Sequence, residues 1–234
     1  MIVLQDVWKR FPGGAPVAQG VSAVFPRGRA TALLGANGAG KSSLLAMIAG
    51  TLRPDAGRVV RQGTVSWPVG FAGAFHPDLT GAQNTRFVAR VYGVDSGALL
   101  SFVRDVSGLD RAMGQPVRRY SSGMRARLGF ALSMGIPFDM YLVDEVTAVG
   151  DAAFRRETSA LLRARLGQAG AVVVSHAPAQ LREICTAGAV LREGRLEMFD
   201  DLDVALAVYQ AGVSPASTPP ATGRAGRGAI GGRR

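Results

Sequence analysis

Eight consecutive residues near the start of the chain have the composition of a phosphate-binding loop: Gly35-Ala36-Asn37-Gly38-Ala39-Gly40-Lys41-Ser42. The apolar run at 30–34 predicts a buried strand before them, and the stretch at 43–49 predicts a helix after them. Strand, glycine-rich loop and helix are the context of a Walker A motif, in which backbone N–H groups and a helix N-terminus surround a polyphosphate. Lys41 would reach the β- and γ-phosphates, and Ser42 would bind Mg²⁺. The alternative is a glycine-rich turn that happens to precede a helix.

Two carboxylates close a second apolar run. The segment at 138–145 predicts a buried strand that ends in Asp144 and Glu145. Because ligands bind at the carboxyl edge of open α/β sheets, we expect both side chains near the phosphate loop. Asp144 would hold Mg²⁺ through a water molecule, and Glu145 would polarise the attacking water. Taken alone, such a pair is often only a solvated turn.

A histidine follows a third apolar run. The segment at 171–174 predicts another buried strand and leads to Ser175 and His176. A lone histidine at a strand end is more often structural than catalytic. Here the same sheet edge would bring His176 close to Asp144, so we expect it to contact the γ-phosphate.

Strands that alternate with helices predict the rest of the fold. Buried strands separated by helices give an α/β fold with a mainly parallel sheet. The block at about 81–134 has helical spacing and no strand signal, so it is expected to be an inserted helical subdomain. Residues 1–211 would form the folded domain. From Gly212 onward Gly, Pro, Ser, Thr, Ala and Arg dominate, which predicts a disordered basic tail at 212–234.

Composition limits the classes of function. The chain has 234 residues, 47% of them hydrophobic, which suits one α/β domain with an inserted subdomain. A single cysteine, Cys185, excludes an internal disulfide and is typical of a reducing cytosol. We expect neither a signal peptide nor a membrane span. A net charge of +10 is compatible with nucleic acid or anionic lipid, but an arginine-rich surface from a biased genome explains it better.

A Ser-Gly segment narrows the class of ATPase. Ser121-Ser122-Gly123 opens a predicted helix at 124–134, and one of the serines would cap it. Alone, this segment indicates only a capped helix. With the Walker A loop, the acid pair, the turn at 148–151 and His176 in this order, residues 1–211 resemble an ABC-type ATPase, a P-loop NTPase fold.

This resemblance implies ATP and Mg²⁺ as cofactors and a homodimer in the ATP-bound state, in which each phosphate loop faces the partner's Ser-Gly signature. The implied signature residues are Ser121, Ser122, Gly123 and Met124. The implied ATP-binding residues are Phe11, Gly35, Ala36, Asn37, Gly38, Ala39, Gly40, Lys41, Ser42 and Ser43. Phe11 would stack on adenine, although a turn phenylalanine that covers the core is nearly as good an interpretation.

Two departures from the ABC pattern point to a subgroup. Met124 stands where many members have a second glycine, and the region at 67–75 lacks the glutamine that usually contacts Mg²⁺. With these departures, the segments at 66–68, 75–81, 87–93, 120–128 and 144–151 resemble the ATP-binding subunits of capsular polysaccharide exporters. That group also includes O-antigen and teichoic acid transporters.

The subgroup implies an ATP-hydrolysing subunit of an inner-membrane exporter of lipid-linked capsular polysaccharide. The chain would be peripheral, on the cytoplasmic face of the bacterial inner membrane. It would dock on an integral-membrane permease through the groove beside 67–92, and the permease would contact the polysaccharide. O-antigen, teichoic acid or a drug are alternative cargoes.

Two other classes of ATP-binding protein fit the sequence less well. One is a soluble ABC ATPase that acts on ribosomes or DNA; such translation factors usually carry two ATPase units, and such repair enzymes insert a long coiled coil. We therefore expect no specific nucleic-acid partner. The other is a regulatory module without hydrolysis, which the intact Lys41, Asp144, Glu145 and His176 disfavour.

Overall fold

The computed structural model describes residues 1–69, 75–144 and 152–212, without the side chains of residues 152, 153 and 155–157. Nine strands form two sheets in these ranges. The strands are β1 (Ile2–Arg10), β2 (Pro16–Phe25), β3 (Ala30–Leu34), β4 (Ala56–Arg61), β5 (Val65–Pro68), β6 (Met140–Asp144), β7 (Gly170–Val174), β8 (Ala187–Arg192) and β9 (Arg195–Phe199). The helices are α1 (Lys41–Ala49), α2 (Gly81–Tyr92), α3 (Ser96–Ser107), α4 (Ser122–Gly135), α5 (Ala152–Gln168), α6 (Pro178–Ile184) and α7 (Leu202–Gly212).

The larger sheet is parallel except at one edge. Its strand order is β5-β6-β7-β3-β8-β9, and only the β8–β9 pair is antiparallel. Along β6, Tyr141 and Val143 pack on one side, whereas Met140 and Leu142 pack on the other. This period of two divides the buried side chains into two clusters, so both faces of the sheet are covered.

The smaller sheet closes one of those faces. It is antiparallel, in the order β2-β1-β4, and its inner side chains share a cluster with α1 and the parallel sheet. Helix α1 is fixed at its far end by Arg61 of β4, whose guanidinium donates to the carbonyls of Met47 and Ile48 at 2.6 Å each. A cation at a helix C-terminus is favourable because the last carbonyls carry partial negative charge.

Helices α5, α6 and α7 cover the other face, and α2, α3 and α4 extend the same buried cluster. The N-caps of α2, α3 and α4 are Thr80, Asp95 and Ser121 respectively. Each cap side chain accepts a hydrogen bond from a backbone N–H in the first turn of its helix. Their buried side chains belong to the cluster that contains Tyr141 and Val143, which is the larger cluster of the two. The block at 81–134 is therefore helical and continuous with the core, and its status as a subdomain stays a prediction.

Most elements match the expected pattern, with differences at their ends. The alternating pattern predicts a first strand over 2–7, whereas β1 continues to Arg10 because it pairs with β2 as far as Pro16 and with β4 at Ala56. The sequence predicts a last short helix over 201–209, whereas α7 spans Leu202–Gly212. The expected disordered tail otherwise falls on residues outside those described. In the described ranges, no helix has the length and apolar character needed to cross a membrane.

Candidate functional site

The phosphate loop leaves the carboxyl edge of the parallel sheet. Strand β3 ends at Leu34, which pairs with Val190 of β8, and on its other side β3 pairs with β7. Residues 35–40 connect β3 to α1, which begins at Lys41. The loop thus starts between the central strands and delivers the N-terminus of α1 to the edge where ligands bind in such sheets.

Two of the loop's glycines are required by close contacts with neighbouring strands. Gly40 has φ 102°, and a Cβ there would lie 2.3 Å from Cγ1 of Val17 on β2. A Cβ on Gly35 would lie 2.7 Å from the carbonyl oxygen of Leu191 on β8. Two neighbouring strands therefore hold the loop from both ends, and larger residues would displace it.

The Lys41 side chain folds back over the loop. Its ammonium donates to the carbonyl of Gly35 at 2.6 Å and to that of Ala36 at 2.9 Å. The cation is thereby held beside the first residues of the loop, above the N-terminus of α1. The Lys41 ammonium and the N-terminus of α1 both attract anions, so the arrangement suits a phosphate.

Ser42 and Asp144 are in contact. The Ser42 hydroxyl donates to Oδ2 of Asp144 at 3.3 Å. Asp144 is the last residue of β6 and pairs with Val174 of β7, so both strands end at the edge from which the loop departs. A hydroxyl and a carboxylate oxygen are ligands that Mg²⁺ accepts, and their mutual distance fits two ligands of one ion. Glu145 lies outside the described residues.

His176 lies in a cleft with Lys41. Ser175 follows the last residue of β7 and orders this turn, since its hydroxyl accepts from the N–H of Ala177 at 3.1 Å and donates to Oε1 of Gln180 at 2.9 Å. The cleft has a volume of about 100 Å³. It is lined by Leu33, Leu34, Gly35, Lys41, Ser175, His176, Pro178, Leu181, Leu206, Tyr209 and Gln210.

Phe11 lies at the surface, just after β1. Its side chain is 42% exposed and belongs to neither buried cluster of the described residues. The ammonium of Lys9 lies 5.5 Å from the ring centroid and also pairs with Asp55 at 2.7 Å. The interpretation that Phe11 covers the core is therefore disfavoured, and an exposed ring beside a cation is suited to stacking on a base.

The Ser-Gly segment does not line this cleft. Ser121 is the N-cap of α4 and accepts from the N–H of Met124 at 3.1 Å, while Ser122 and Gly123 are exposed. A Cβ on Gly123 would meet nothing nearer than the Ser121 hydroxyl, at 3.9 Å. Packing among the described residues therefore places no demand for glycine at position 123.

Comparison with known proteins identifies the family. The family model described as ABC transporter matches residues 18–148. The chain belongs to the ABC transporter family. Among curated relatives, the capsule polysaccharide export ATP-binding protein CtrD of Neisseria meningitidis is 39% identical over 89% of this chain and 98% of the relative. The polysialic acid transport ATP-binding protein KpsT of Escherichia coli is 40% identical over 87% of this chain and all of the relative.

Solved structures support the ABC fold. A dimeric ATP-binding cassette in a post-hydrolysis state, bound to ADP and Pi, superposes with a TM-score of 0.72 at 20% identity, over 86% of this chain and 99% of the neighbour. The expected fold class, an ABC-type α/β domain, is confirmed. The resemblance to the capsular polysaccharide subgroup is confirmed as well, by relatives that match over nearly their whole lengths.

The structure accounts for one departure from the ABC pattern. Met124, in place of a second glycine, is partly buried and packs against the larger cluster. Met124 thus covers part of the core from the first turn of α4. The other departure, the missing glutamine, falls at 67–75, of which residues 70–74 lie outside those described. Gln83, a glutamine further along the chain, forms a reciprocal capping box with Thr80 at the start of α2.

Several residues of the site were not predicted. Val17 and Leu191, which confine the loop glycines, have no local motif. Tyr209 and Gln210 of α7 line the cleft, although nothing in their spacing indicates it. Outside the site, the capping box at the start of α2 follows a known pattern, Thr80-x-x-Gln83, and could have been predicted.

Proposed function

We propose that this chain is the ATP-hydrolysing subunit of a bacterial inner-membrane exporter of lipid-linked capsular polysaccharide. The observation that carries the proposal is the similarity to two capsule and polysialic acid transport proteins, at 39% and 40% identity over nearly the full length of both chains. Similarity confined to the nucleotide motifs would favour any ABC protein, whereas similarity over 87–89% of this chain extends well beyond those motifs.

The chemistry follows from the side chains at the sheet edge. The loop N–H groups and Lys41 would bind the β- and γ-phosphates of ATP, and Ser42 and Asp144 would hold Mg²⁺. Bound Mg²⁺ would neutralise charge on the phosphate oxygens. Glu145 would orient and polarise water for in-line attack on the γ-phosphorus, and His176 would donate to the γ-phosphate.

We further propose that two copies enclose ATP. Ser122 and Gly123 are exposed at the N-terminus of α4, where backbone N–H groups point outward, as an anion site requires. The open space around Gly123 allows a phosphate of the partner's nucleotide to approach the backbone closely. The dimeric ABC neighbour bound to ADP and Pi is consistent with this arrangement.

An aromatic cluster between the parallel sheet and α2 would receive the permease. The rings of Trp67, Tyr92 and Phe138 are in edge-to-face contact, with centroids 5.3–5.4 Å apart. Beside them Phe87 and Val91 of α2 are 60% and 61% exposed. Their spacing of four residues puts both on one helical face, so they form an apolar surface next to the cluster. A cytoplasmic helix of a permease would bury it.

This arrangement makes the chain a peripheral protein on the cytoplasmic face of the membrane. ATP would close the dimer and hydrolysis would reopen it, and the movement would reach the permease through the surface of α2. The nearest alternative is the same ATPase role with O-antigen, teichoic acid or a drug as the cargo. A soluble ABC ATPase bound to nucleic acid, which the net charge of +10 would suit, is less favoured. Retention on a DNA column after removal of 213–234 would support that alternative.

Deletion of the gene in a producing cell tests the proposal. We expect long polysaccharide to accumulate inside, with a lipid at its reducing end, and the surface to lack it until the wild-type gene is restored. Analysis of the retained polymer separates capsule from O-antigen or teichoic acid. Unchanged surface polymer, with no glycan retained inside, would contradict a role in glycan export.

A further inference from the structure

The last turn of α7 forms a wall of the nucleotide cleft. Leu206, Tyr209 and Gln210 line the same cleft as Lys41 and His176. Leu206 is 3% exposed, Tyr209 is partly buried against the larger cluster, and Gln210 is exposed. An apolar anchor, an aromatic ring and an amide thus succeed one another from the core to the cleft mouth.

Close packing fixes α7 on the sheet. A Cβ on Gly188 of β8 would lie 2.3 Å from Cβ of Ala205, so the helix rests directly on the strand. Leu202 and Leu206 are buried on either side of this contact. Because packed interiors resist small displacements, the position of α7 is set to within a fraction of a side chain.

Polar contacts fix both ends of the helix. Asp201 accepts from the N–H groups of Asp203 and Val204 at 2.8 and 3.0 Å, which caps the N-terminus. At the other end the Arg192 guanidinium donates to the carbonyl of Val208 at 3.3 Å. A cation at this position is favourable for the helix, so the turn that carries Tyr209 is held against β8.

Helix α7 is also tied to the segment that carries His176. Nε of Arg182 on α6 lies 2.8 Å from Oδ1 of Asp203. Leu181 of α6 lines the cleft together with Leu206 and Tyr209 and is buried in the same cluster. Helix α6 begins two residues after His176, so this ion pair and the shared cleft lining connect α7 to the helix that follows the histidine turn.

We propose that Tyr209 and Gln210 are positioning residues for ATP hydrolysis, which act by holding the His176 turn against the phosphate loop. Tyr209 packs partly buried against the core cluster and lines the cleft together with Pro178 and Leu181 of α6, and the exposed Gln210 amide adds a donor and an acceptor to the same lining. The inference rests on the roles proposed above for Lys41 and His176.

The test uses the purified full-length chain with Tyr209→Ala, Gln210→Ala and Tyr209→Phe, and with Val204→Ala as the matched control. Val204 lies on the same helix, is 51% exposed and does not line the cleft. Turnover is expressed per nucleotide-binding site, counted by titration with a fluorescent ATP analogue. This normalisation removes any loss that comes from unfolded protein.

We expect Tyr209→Ala to lower kcat about five-fold or more while affinity for the analogue stays within about two-fold, because misplacement of a catalytic group acts on the transition state. Gln210→Ala, an exposed substitution, should lower kcat about two- to five-fold on the same grounds. Tyr209→Phe should keep most of the activity, since the ring remains. Val204→Ala should match the wild type.

Wild-type kcat in both Tyr209→Ala and Gln210→Ala would overturn the inference. So would an equal loss of kcat in Val204→Ala, which would indicate a general effect of α7. The variant His176→Gln distinguishes a failure of this inference from a failure of the proposed role of His176. If it is inactive while the α7 variants turn over normally, only the inference fails; if it is fully active, the proposed role of His176 fails and the inference with it.

Discussion

The Ser42 hydroxyl lies 3.3 Å from Oδ2 of Asp144, although the two residues are 102 positions apart in the sequence. Ser42 comes from the first turn of α1 and Asp144 from the last residue of β6. The contact therefore joins the phosphate loop to the acidic strand end, and it exists because β6, β7 and β3 all end at one edge of the sheet.

This contact predicts a specific dependence on Mg²⁺. Asp144→Asn should raise the Mg²⁺ concentration needed for half-maximal ATPase activity on the order of tenfold, because the amide lacks the charge that favours the ion. Lys41→Ala should instead weaken ATP binding at every Mg²⁺ concentration. A matched control is Asp200→Asn, whose side chain is 98% exposed. A normal Mg²⁺ dependence in Asp144→Asn would contradict the assignment.

The exposed face of α2 predicts where the membrane partner binds. Phe87→Asp combined with Val91→Asp should release the chain from membranes while the isolated chain keeps its ATPase activity, since charge on this face disfavours burial. Val24→Asp is the control, because Val24 is 47% exposed on the small sheet. The measurement is the fraction of chain that copurifies with the membrane. Retention of the double variant would place the interface elsewhere.

Burial makes the single thiol unreactive. Cys185 is 5% exposed, and desolvation raises the pKa of its thiol to about 12. At pH 8 only about one thiol in ten thousand is then ionised, and the thiolate is the reactive form. Iodoacetamide should therefore leave the native chain unlabelled and add one group per chain after denaturation, as read by mass spectrometry. Rapid labelling of the folded chain would be inconsistent with this burial.

Asp139 predicts a dependence of stability on pH. Hydrogen bonds from the backbone N–H and hydroxyl of Thr64, at 2.8 and 3.2 Å, together with Arg27, hold the pKa of this carboxyl below its ordinary value of 3.8. The charged form is thus favoured in the folded state, so its stabilisation is present above that ordinary value and is lost as the pH falls through the lower, folded-state pKa.

Urea unfolding of the wild type and Asp139→Asn measures this effect. The wild type should be the more stable at pH 6, and the difference should shrink as the pH is lowered below about 4. Asp200→Asn again serves as the control, with little effect at either pH. A difference that stays constant over this range would mean that the charge of Asp139 contributes nothing to folding.

The parts of the site that follow from local pattern could be predicted. The phosphate loop is eight contiguous residues, and the ends of parallel strands meet at one edge, so the approach of Asp144 and His176 to the loop follows from three buried runs. Ser121 as a helix cap follows from its residue type.

The rest depends on contacts between distant segments. The antiparallel pairing of β1 with β4 joins runs too short to identify a partner from sequence. The return of α7 to the cleft depends on the contact of Gly188 with Ala205, in which neither residue carries a functional signal. In the sequence Met124 is only a departure from the ABC signature, and its role follows from its packing against the core in the structure.

The most direct measurement is made in the producing cell, with the gene exchanged for its Glu145→Gln form. Glu145 is assigned to water activation, so this variant should bind ATP and fail to hydrolyse it, and the charge-neutral change leaves the size of the side chain almost unaltered. If ATP hydrolysis by this chain drives export, long polysaccharide will remain inside the cell and the surface will be bare. Normal surface polysaccharide in that strain would contradict the account.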